Sequence, residues 1–335
     1  MIKNKRPIRV FEAFAGYGGA SFGLKRCGYP YEVIGMSEID PSACRMLDVN
    51  FPHIQNYGNI VTIRERLEQD KNYIPDFDLF TGGFPCQPFS SAGLQLGEDD
   101  TLGRGTLVYE ILKICKIKRP TFIFLENVKG FNSKKFQPTR DIIINQLEEL
   151  GYHVRMQMLN TMDYGIPQNR ERLWIFAYKG KLPSTFNMMP PVVPADKRPR
   201  LSEFLDLMPP VDIYLKPSQV EHFMKVHTSH GFKDWKVKEP LCFDVYNHKM
   251  KTNGITNTLT EPSHNITRIV EPPSKDGTIR IRKLSIEEQF RLMGFNNGEI
   301  KFPDDLNYTQ ISARAGNGWD VHLVGILLKH IFDQL

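Results

Sequence analysis

The feature that most constrains the fold is an alternation of short apolar segments with helical stretches between residues 8 and 178. Apolar segments of strand length lie at residues 8–14, 32–36, 78–81, 121–125 and 173–177. Strands that alternate with helices are typical of βαβ units, which build a mostly parallel sheet with helices on both faces. The sequence therefore predicts a Rossmann-like α/β fold, and such sheets bind ligands beyond the carboxyl ends of their strands.

A second region of the chain has a different composition. Residues 183–273 contain 12 of the 23 prolines. Residues 186–283 carry 15 Lys and Arg against 11 Asp and Glu, which accounts for +4 of the net charge of +5. Because proline interrupts helices and central strands, this region is predicted to be a separate, basic and irregular domain.

We place this irregular domain at residues 183–281, so that residues 1–182 and 282–335 together form the α/β domain. Directly after it, Ser285 and Glu288 have the spacing of a capping box, in which each side chain bonds the backbone of the other residue. A short amphipathic helix is therefore expected to begin there.

The first predicted strand ends in a glycine-rich turn, Phe14-Ala15-Gly16-Tyr17-Gly18-Gly19. Glycine lets the backbone approach a cofactor and close a tight turn into a helix. The third glycine of the dinucleotide fingerprint is missing, and an acid, Glu38, ends the second strand where ribose hydroxyls bind in this architecture. The pattern favours a nucleoside cofactor without phosphate, such as S-adenosylmethionine; NAD, or a turn without any ligand, remains the alternative.

A single cysteine, Cys86, follows the third predicted strand in the segment Phe84-Pro85-Cys86-Gln87-Pro88. The two prolines restrict the backbone on both sides of the thiol, and the strand delivers it to the carboxyl edge of the sheet. This placement suits a nucleophile, although cysteine is more often a buried structural residue.

Charged residues follow two further strands. Glu126 comes at the end of a continuous apolar strand, at the same edge as Cys86, where nearby apolar groups tend to raise the pKa of a carboxyl. Arg170 and Arg172 stand two residues apart on extended backbone, so they are expected to face the same way and grip one group together. The alternatives are that Glu126 only caps the next segment and that the two arginines lie on a solvated edge strand.

Composition excludes several other classes of protein. Five cysteines without a CxxC pair or His/Cys ligand spacing argue against a disulfide framework and a structural zinc, so no metal is expected. No apolar run reaches the roughly 18 residues of a membrane span, and the basic amino terminus lacks a signal-peptide core. A cytoplasmic protein without a membrane partner is therefore expected.

Six motifs in order, FAGYGG, FPCQPFS, ENV, QNRER, RKLSIEEQFRLMGF and GNGWD, resemble those of the DNA cytosine-5 methyltransferases. The resemblance runs from about Val10 to Leu327. It implies the S-adenosylmethionine-dependent methyltransferase fold, S-adenosyl-L-methionine as cofactor, and double-stranded DNA as partner. The basic segment at 183–281 lies where this family has its target recognition domain.

Carried over position by position, the resemblance implies roles for individual residues. Cys86 would add to carbon 6 of cytosine, Glu126 would bind N3 and the exocyclic amine, Arg172 would hold the ring carbonyl, and Arg170 would assist. The residues implied in cofactor binding are Phe14, Gly16, Gly18, Gly19, Glu38, Ile39, Asn59, Ile60, Pro85, Leu107 and Asn317. Those implied in DNA binding are Ser90, Thr258 and Leu259, and residues 90–106 are expected to close over a flipped base.

Two positions depart from the family pattern. Asn59 stands where an acid usually meets the adenine amine; its carbonyl can accept the same hydrogen bond without a charge. Trp319 and Asp320 follow Gly318 in the last motif, where small and β-branched residues are usual. We expect somewhat weaker cofactor binding from the first departure.

The favoured interpretation is a compact, monomeric enzyme of the bacterial or phage restriction-modification type, with a cognate restriction endonuclease as partner. A tRNA cytosine-5 methyltransferase on the same fold is the first alternative, because Leu241-Cys242-Phe243-Asp244 partly resembles a signature of that branch. A catalytically silent nucleic-acid-binding protein is the second, disfavoured because every catalytic position is filled.

Overall fold

The computed structural model describes residues 6–85, 107–262 and 267–335. Cys86 and Ser90, and with them the expected closing segment 90–106, lie outside the described residues. The described strands are β1 (Ile8–Ala13), β2 (Tyr31–Ser37), β3 (Leu79–Gly83), β4 (Phe122–Val128), β5 (His153–Asn160), β6 (Gln168–Asn169), β7 (Glu171–Tyr178), β8 (Leu241–Asp244), β9 (Lys249–Lys251), β10 (Thr256–Asn257), β11 (Thr267–Val270) and β12 (Ile281–Arg282).

Helices fill much of the remaining described chain. They are α1 (Gly19–Leu24), α2 (Pro41–Asn50), α3 (Ile60–Gln69), α4 (Leu107–Lys118), α5 (Gln137–Glu149), α6 (Pro217–Ser229), α7 (Ile286–Leu292), α8 (Tyr308–Asn317) and α9 (Val321–Asp333). The capping box predicted before α7 is confirmed, since Ser285 and Glu288 each accept from the backbone N–H of the other. Among the described helices, none is both long and apolar enough to cross a membrane.

The chain divides into two compact units at residues other than the predicted boundaries. The first unit comprises Met1–Leu159, Glu171–Pro190 and Val324–Leu335, and the second comprises Asn160–Arg170 and Pro191–Leu323. The second unit therefore takes in α7, α8 and the short segment that precedes β7. The functional boundaries at 183–281 stay a prediction.

A six-stranded sheet in the order β2-β1-β3-β4-β7-β5 forms the centre of the first unit. Strands β2, β1, β3 and β4 are parallel, whereas β7 pairs antiparallel with β4. The predicted α/β class, with a mostly parallel sheet, is confirmed. Strand β5 was absent from the five predicted strands, because its alternation of exposed and buried residues lacks a continuous apolar run.

Side chains of β4 alternate between two covered faces, which explains its continuous apolar sequence. Ile123 and Leu125 join a core cluster that also contains side chains of α3, α4 and α5. Phe122 lies on the other face, where its ring is 5.5 Å from that of Phe332 in α9. Helices thus cover both faces of the sheet, as predicted.

The second unit contains an antiparallel sheet in the order β12-β11-β8-β9 and a separate parallel pair, β6 and β10. Helix α6 contributes partly buried apolar residues, including Phe223, to a small core with Trp235, Phe243 and Val270. The strands of the second unit are short and the connections between them are long, which agrees with the proline-rich sequence.

Candidate active site and cofactor site

The turn after β1 has a backbone that most residues avoid. Phe14, Gly16 and Gly18 have φ angles of 52°, 57° and 90°, in the left-handed region. Phe14 adopts this conformation without the freedom of glycine, which is uncommon for a bulky residue and tends to mark functional segments. At Gly18, a Cβ atom would lie less than 3 Å from two ring atoms of Phe51, so a side chain would not fit.

Glu38 fastens this turn to the end of β2. Its Oε2 atom accepts from the N–H of Gly16 at 2.8 Å, and its Oε1 atom accepts from Ile39 and Asp40 at 2.7 and 2.8 Å. A carboxylate offers about four acceptor positions, so one is left beyond these three contacts. The side chain of Ile39 beside it is 67% exposed. These two residues fit the ribose and adenine of a nucleoside.

Glu12 is a site residue that sequence reasoning missed. It is buried in β1 and accepts from the N–H groups of Ala20 and Ser21, at the start of α1, and from the Ser21 hydroxyl. Burial raises the pKa of this carboxyl to about 7, against the opposing hydrogen bonds. An acid inside an apolar strand directly before the glycine turn was the available signal.

Asn59 and Ile60 have contacts that differ from the expected ones. The Asn59 side chain caps α3, with Oδ1 accepting from the N–H of Val61 at 2.9 Å. Ile60 is buried in the core cluster of the first unit. The first turn of α3 directs the Ile60 side chain into the core, and its predicted part in cofactor binding stays a prediction.

Strand β3 leads to the predicted nucleophile. Gly83 lies in register with Glu126 of β4, so the described chain reaches Pro85 from the same edge that carries Glu126. Pro85 is exposed and Leu107 is half-buried at the start of α4. The buried Asn127 side chain donates to the carbonyl of Phe84 at 3.1 Å, which holds the end of β3 against β4.

Glu126 and Arg172 form an ion pair across β4 and β7. Arg172 Nε lies 2.8 Å from Glu126 Oε1, and their side chains are only 13% and 11% exposed. The antiparallel register sets Arg172 opposite Val128, two residues beyond Glu126. Burial lowers the pKa of the Arg172 guanidinium, and the charge of Glu126 opposes that shift. The two groups present a cation and a carboxylate side by side at the sheet edge.

Arg170, which was expected to grip one group together with Arg172, bonds three backbone carbonyls. Its guanidinium is buried and donates to the carbonyls of Leu259, Gly316 and Gly318, all in the second unit. The strands are interrupted at Arg170, between β6 and β7, so the simple alternation of faces does not extend to Arg172. The assisting role of Arg170 at the base stays a prediction.

The remaining predicted residues lie in the second unit. Thr258 is exposed in part and donates its hydroxyl to the carbonyl of Asn169 at 2.6 Å, whereas the Leu259 side chain is buried. The predicted contact of Thr258 and Leu259 with DNA stays a prediction. Asn317 ends α8 and donates to Glu261 at 2.6 Å. In the described part of the chain, no three His, Cys, Asp or Glu side chains are placed to hold a metal.

The described edge of the sheet thus combines a glycine turn with left-handed backbone, the carboxylate of Glu38, and the carboxylate-guanidinium pair of β4 and β7. Residues 8–333 match the family model described as C-5 cytosine-specific DNA methylase. The chain belongs to the C-5 cytosine-specific DNA methylase family, as the ordered motifs implied. Its activity is therefore methylation of cytosine in DNA.

Curated relatives and solved structures agree with this assignment. The chain is 38% identical to the Type II methyltransferase M1.ScrFI of Lactococcus lactis subsp. cremoris over 328 residues, 98% of this chain and 78% of that protein. It is 30% identical to the Type II methyltransferase M.NgoBI of Neisseria gonorrhoeae, over 94% of this chain and 90% of that protein.

Among solved structures, the S. pombe Dnmt2 methyltransferase is similar in fold. It superposes with a TM-score of 0.71 at 18% identity, over 98% of this chain and 99% of that chain. At this level of identity the likeness concerns the fold alone.

Proposed function

We propose that the enzyme methylates carbon 5 of a cytosine flipped out of a specific double-stranded DNA sequence, through a covalent bond between Cys86 and carbon 6. The observation that carries the proposal is the Glu126–Arg172 pair, in register with the strand that leads to Cys86. A cytosine stacked in a duplex cannot reach this edge, so the base has to leave the helix, at a cost of a few kcal/mol.

Each group of the pair has a distinct task. Arg172 donates to the ring carbonyl oxygen of cytosine, where negative charge develops as the thiolate adds to carbon 6. Glu126 binds the N3 side of the ring and holds the proton that neutralises N3 during this addition. Carbon 5 thereby gains the electron density of an enamine. After methylation, loss of the proton at carbon 5 expels the Cys86 thiolate and restores the aromatic ring.

S-adenosyl-L-methionine supplies the methyl group when bound. The turn Phe14–Gly18, the remaining acceptor position of Glu38 and the exposed Ile39 fit its nucleoside part, which needs no phosphate clamp. Further residues proposed to hold the cofactor are Gly19, Asn59, Pro85, Leu107 and Asn317.

The covalent step is tested with a duplex that carries 5-fluorocytosine at the target position. Because fluorine cannot leave as a cation, the wild-type enzyme should remain bonded to the DNA, and Cys86→Ala should form no adduct and methylate no DNA. Cys27→Ala is the matched control, since Cys27 is a buried free cysteine away from the edge residues and should leave adduct formation intact. Methylation by Cys86→Ala would contradict the proposal.

The substrate is tested with radiolabelled cofactor offered to duplex DNA and to tRNA in parallel. Label in DNA, followed by bisulfite sequencing of the product, would identify the recognition sequence, and label in tRNA alone would contradict the proposal. The Type II names of two relatives motivate our proposal of a cognate restriction endonuclease as partner, and the bacterial and phage sources of the relatives motivate that of a cytoplasmic enzyme of such a system, which we propose to be monomeric.

A further inference from the structure

Gln168 and Arg170 hold one residue of the second unit by both of its backbone groups. Their side chains, two residues apart, are fully buried or nearly so. The N–H of Leu259 donates to Gln168 Oε1 at 2.8 Å, and the carbonyl of Leu259 accepts from Arg170 Nη1 at 3.1 Å. Side chains thus provide what a neighbouring strand would otherwise provide.

The same contact continues on either side of Leu259. The preceding Thr256 and Asn257 pair in parallel with Gln168 and Asn169, and the Thr258 hydroxyl bonds the Asn169 carbonyl. The segment 256–259 is therefore fastened to 168–170 along its whole length.

Arg170 also holds the turn that contains Asn317. Its Nη2 atom donates to the carbonyl of Gly316 at 3.1 Å and to that of Gly318 at 2.7 Å, one on each side of Asn317. Gly316 packs closely against the backbone that follows Leu259, because a Cβ atom on Gly316 would lie 2.6 Å from the carbonyl oxygen of Thr260. The Asn317 amide donates to Glu261.

One guanidinium therefore bonds two segments, 258–261 and 316–318. Hydrogen bonds from a buried cation to carbonyl oxygens are stronger than those between neutral groups, and a planar guanidinium holds several acceptors in fixed directions. A displacement of either segment has to break bonds that also orient the other segment.

From these contacts we infer that Gln168 and Arg170 are positioning residues that couple the cofactor-side residue Asn317 to the DNA-side segment Thr258–Leu259. This inference rests on the proposed function, because that proposal assigns the two ends their ligands. Each ligand orders its own segment, and the shared guanidinium makes the second ordering step less costly, so the two affinities rise together.

The test measures the dissociation constant of S-adenosylhomocysteine by calorimetry, with and without duplex DNA that carries the sequence found by bisulfite sequencing. The ratio of the two constants is the coupling factor, which is about 5 to 150 in typical coupled sites. In Arg170→Lys the charge stays, but a single nitrogen replaces the two guanidinium nitrogens that bond Leu259 on one side and Gly316 and Gly318 on the other, so the factor should fall towards 1. Gln168→Met, which keeps the volume, should lower it in the same direction.

Arg282→Lys is the matched control. Arg282 is buried in the same unit but pairs with Glu271 and Glu288, so its replacement should reduce stability and leave the coupling factor unchanged. If Arg170→Lys weakens both ligands equally while the factor keeps its wild-type value, Arg170 is only structural and the inference is wrong.

Should Arg170→Lys fail to fold, Glu261→Ala replaces it, since Glu261 lies at the edge of the contact and binds Asn317. A wild-type coupling factor of 1 would also overturn the inference. Failure of the proposed function is a separate outcome. In that case Cys86→Ala would still methylate DNA, while Arg170→Lys would still lower the coupling factor.

Discussion

At the scale of single residues, the Glu126–Arg172 pair, for which we propose a role in catalysis, also affects stability. Two charges buried at a sheet edge lose hydration, and their mutual contact has to compensate for that loss. Replacing one of them therefore changes folding as well as chemistry, and the two effects can be measured separately.

Glu126→Gln should lower kcat by about 10²- to 10⁴-fold, because the amide cannot hold the proton that N3 needs. Its unfolding free energy should fall by about 1–3 kcal/mol, since Arg172 keeps an acceptor but loses a charged one. Single-turnover methylation and urea unfolding provide the two measurements.

The control for this variant is Glu171→Gln. Glu171 precedes Arg172 but pairs with the exposed Lys129, so stability should change by less than about 1 kcal/mol and kcat should stay within a factor of about 2. An unchanged kcat in Glu126→Gln would exclude Glu126 as the residue that serves N3.

Residues whose partners are close in sequence were predictable, and residues held by distant segments were not. The capping box at Ser285 needs only a neighbour three residues away, and Glu38 follows from its position at a strand end. The contacts of Arg170 with Gly316 and Gly318 join segments almost 150 residues apart, and no spacing within the QNRER motif encodes them.

At the scale of elements, apolar segments located five strands of the six-stranded sheet, but neither the edge strand β5 nor the direction of β7. Strand β5 shows one exposed side, and β7 runs against β4 because the chain returns from that edge. The direction of a strand depends on how the connection before it crosses the sheet. The apolar pattern of a single strand carries no information about that connection.

Helices α1 and α9 cross at two glycines, Gly23 and Gly325. A Cβ atom on Gly23 would lie 2.6 Å from Cβ of Val324, and one on Gly325 would lie 2.7 Å from Cβ of Arg26. Gly23→Ala should therefore push the helices apart and lower the unfolding free energy by about 1–3 kcal/mol.

Thermal unfolding of Gly23→Ala, compared with Gly130→Ala, gives the measurement. A Cβ atom on Gly130 would meet nothing within 4 Å, so that control should unfold near the wild-type temperature. Equal melting temperatures for all three proteins would show that the crossing can relax without cost.

At the scale of the whole molecule, the pH dependence of stability includes a term from a histidine cluster in the second unit. His227 is buried, its Nδ1 atom lies 2.6 Å from that of His248, and the His230 ring stacks on His248 at 4.0 Å. Burial, followed by the charges of His248, His230 and Arg268, lowers the pKa of His227 to about 4.

A histidine in the unfolded chain has a pKa near 6.5. Between about pH 6.5 and pH 4, residue 227 is therefore protonated in the unfolded chain but neutral in the folded protein. Stability from this group is complete above pH 6.5 and is lost as the pH falls. At pH 5 the loss relative to pH 7 should be about 2 kcal/mol. Urea unfolding of wild type and His227→Asn at both pH values tests this.

His222, exposed on the same helix, provides the control variant His222→Asn, which should keep the wild-type difference between the two pH values. If His227→Asn keeps that difference as well, His227 does not contribute to the acid sensitivity.

The crossing of α1 with α9 also has a consequence for the time at which the enzyme becomes active. Gly23 leaves the ribosome about 300 residues before Val324, its packing partner. At a synthesis rate of about 5–20 residues per second, roughly 15–60 s pass between the synthesis of α1 and that of the helix that packs against it. During that interval the nascent chain lacks the helix that packs against α1, so methylation of DNA begins only after synthesis has passed residue 324.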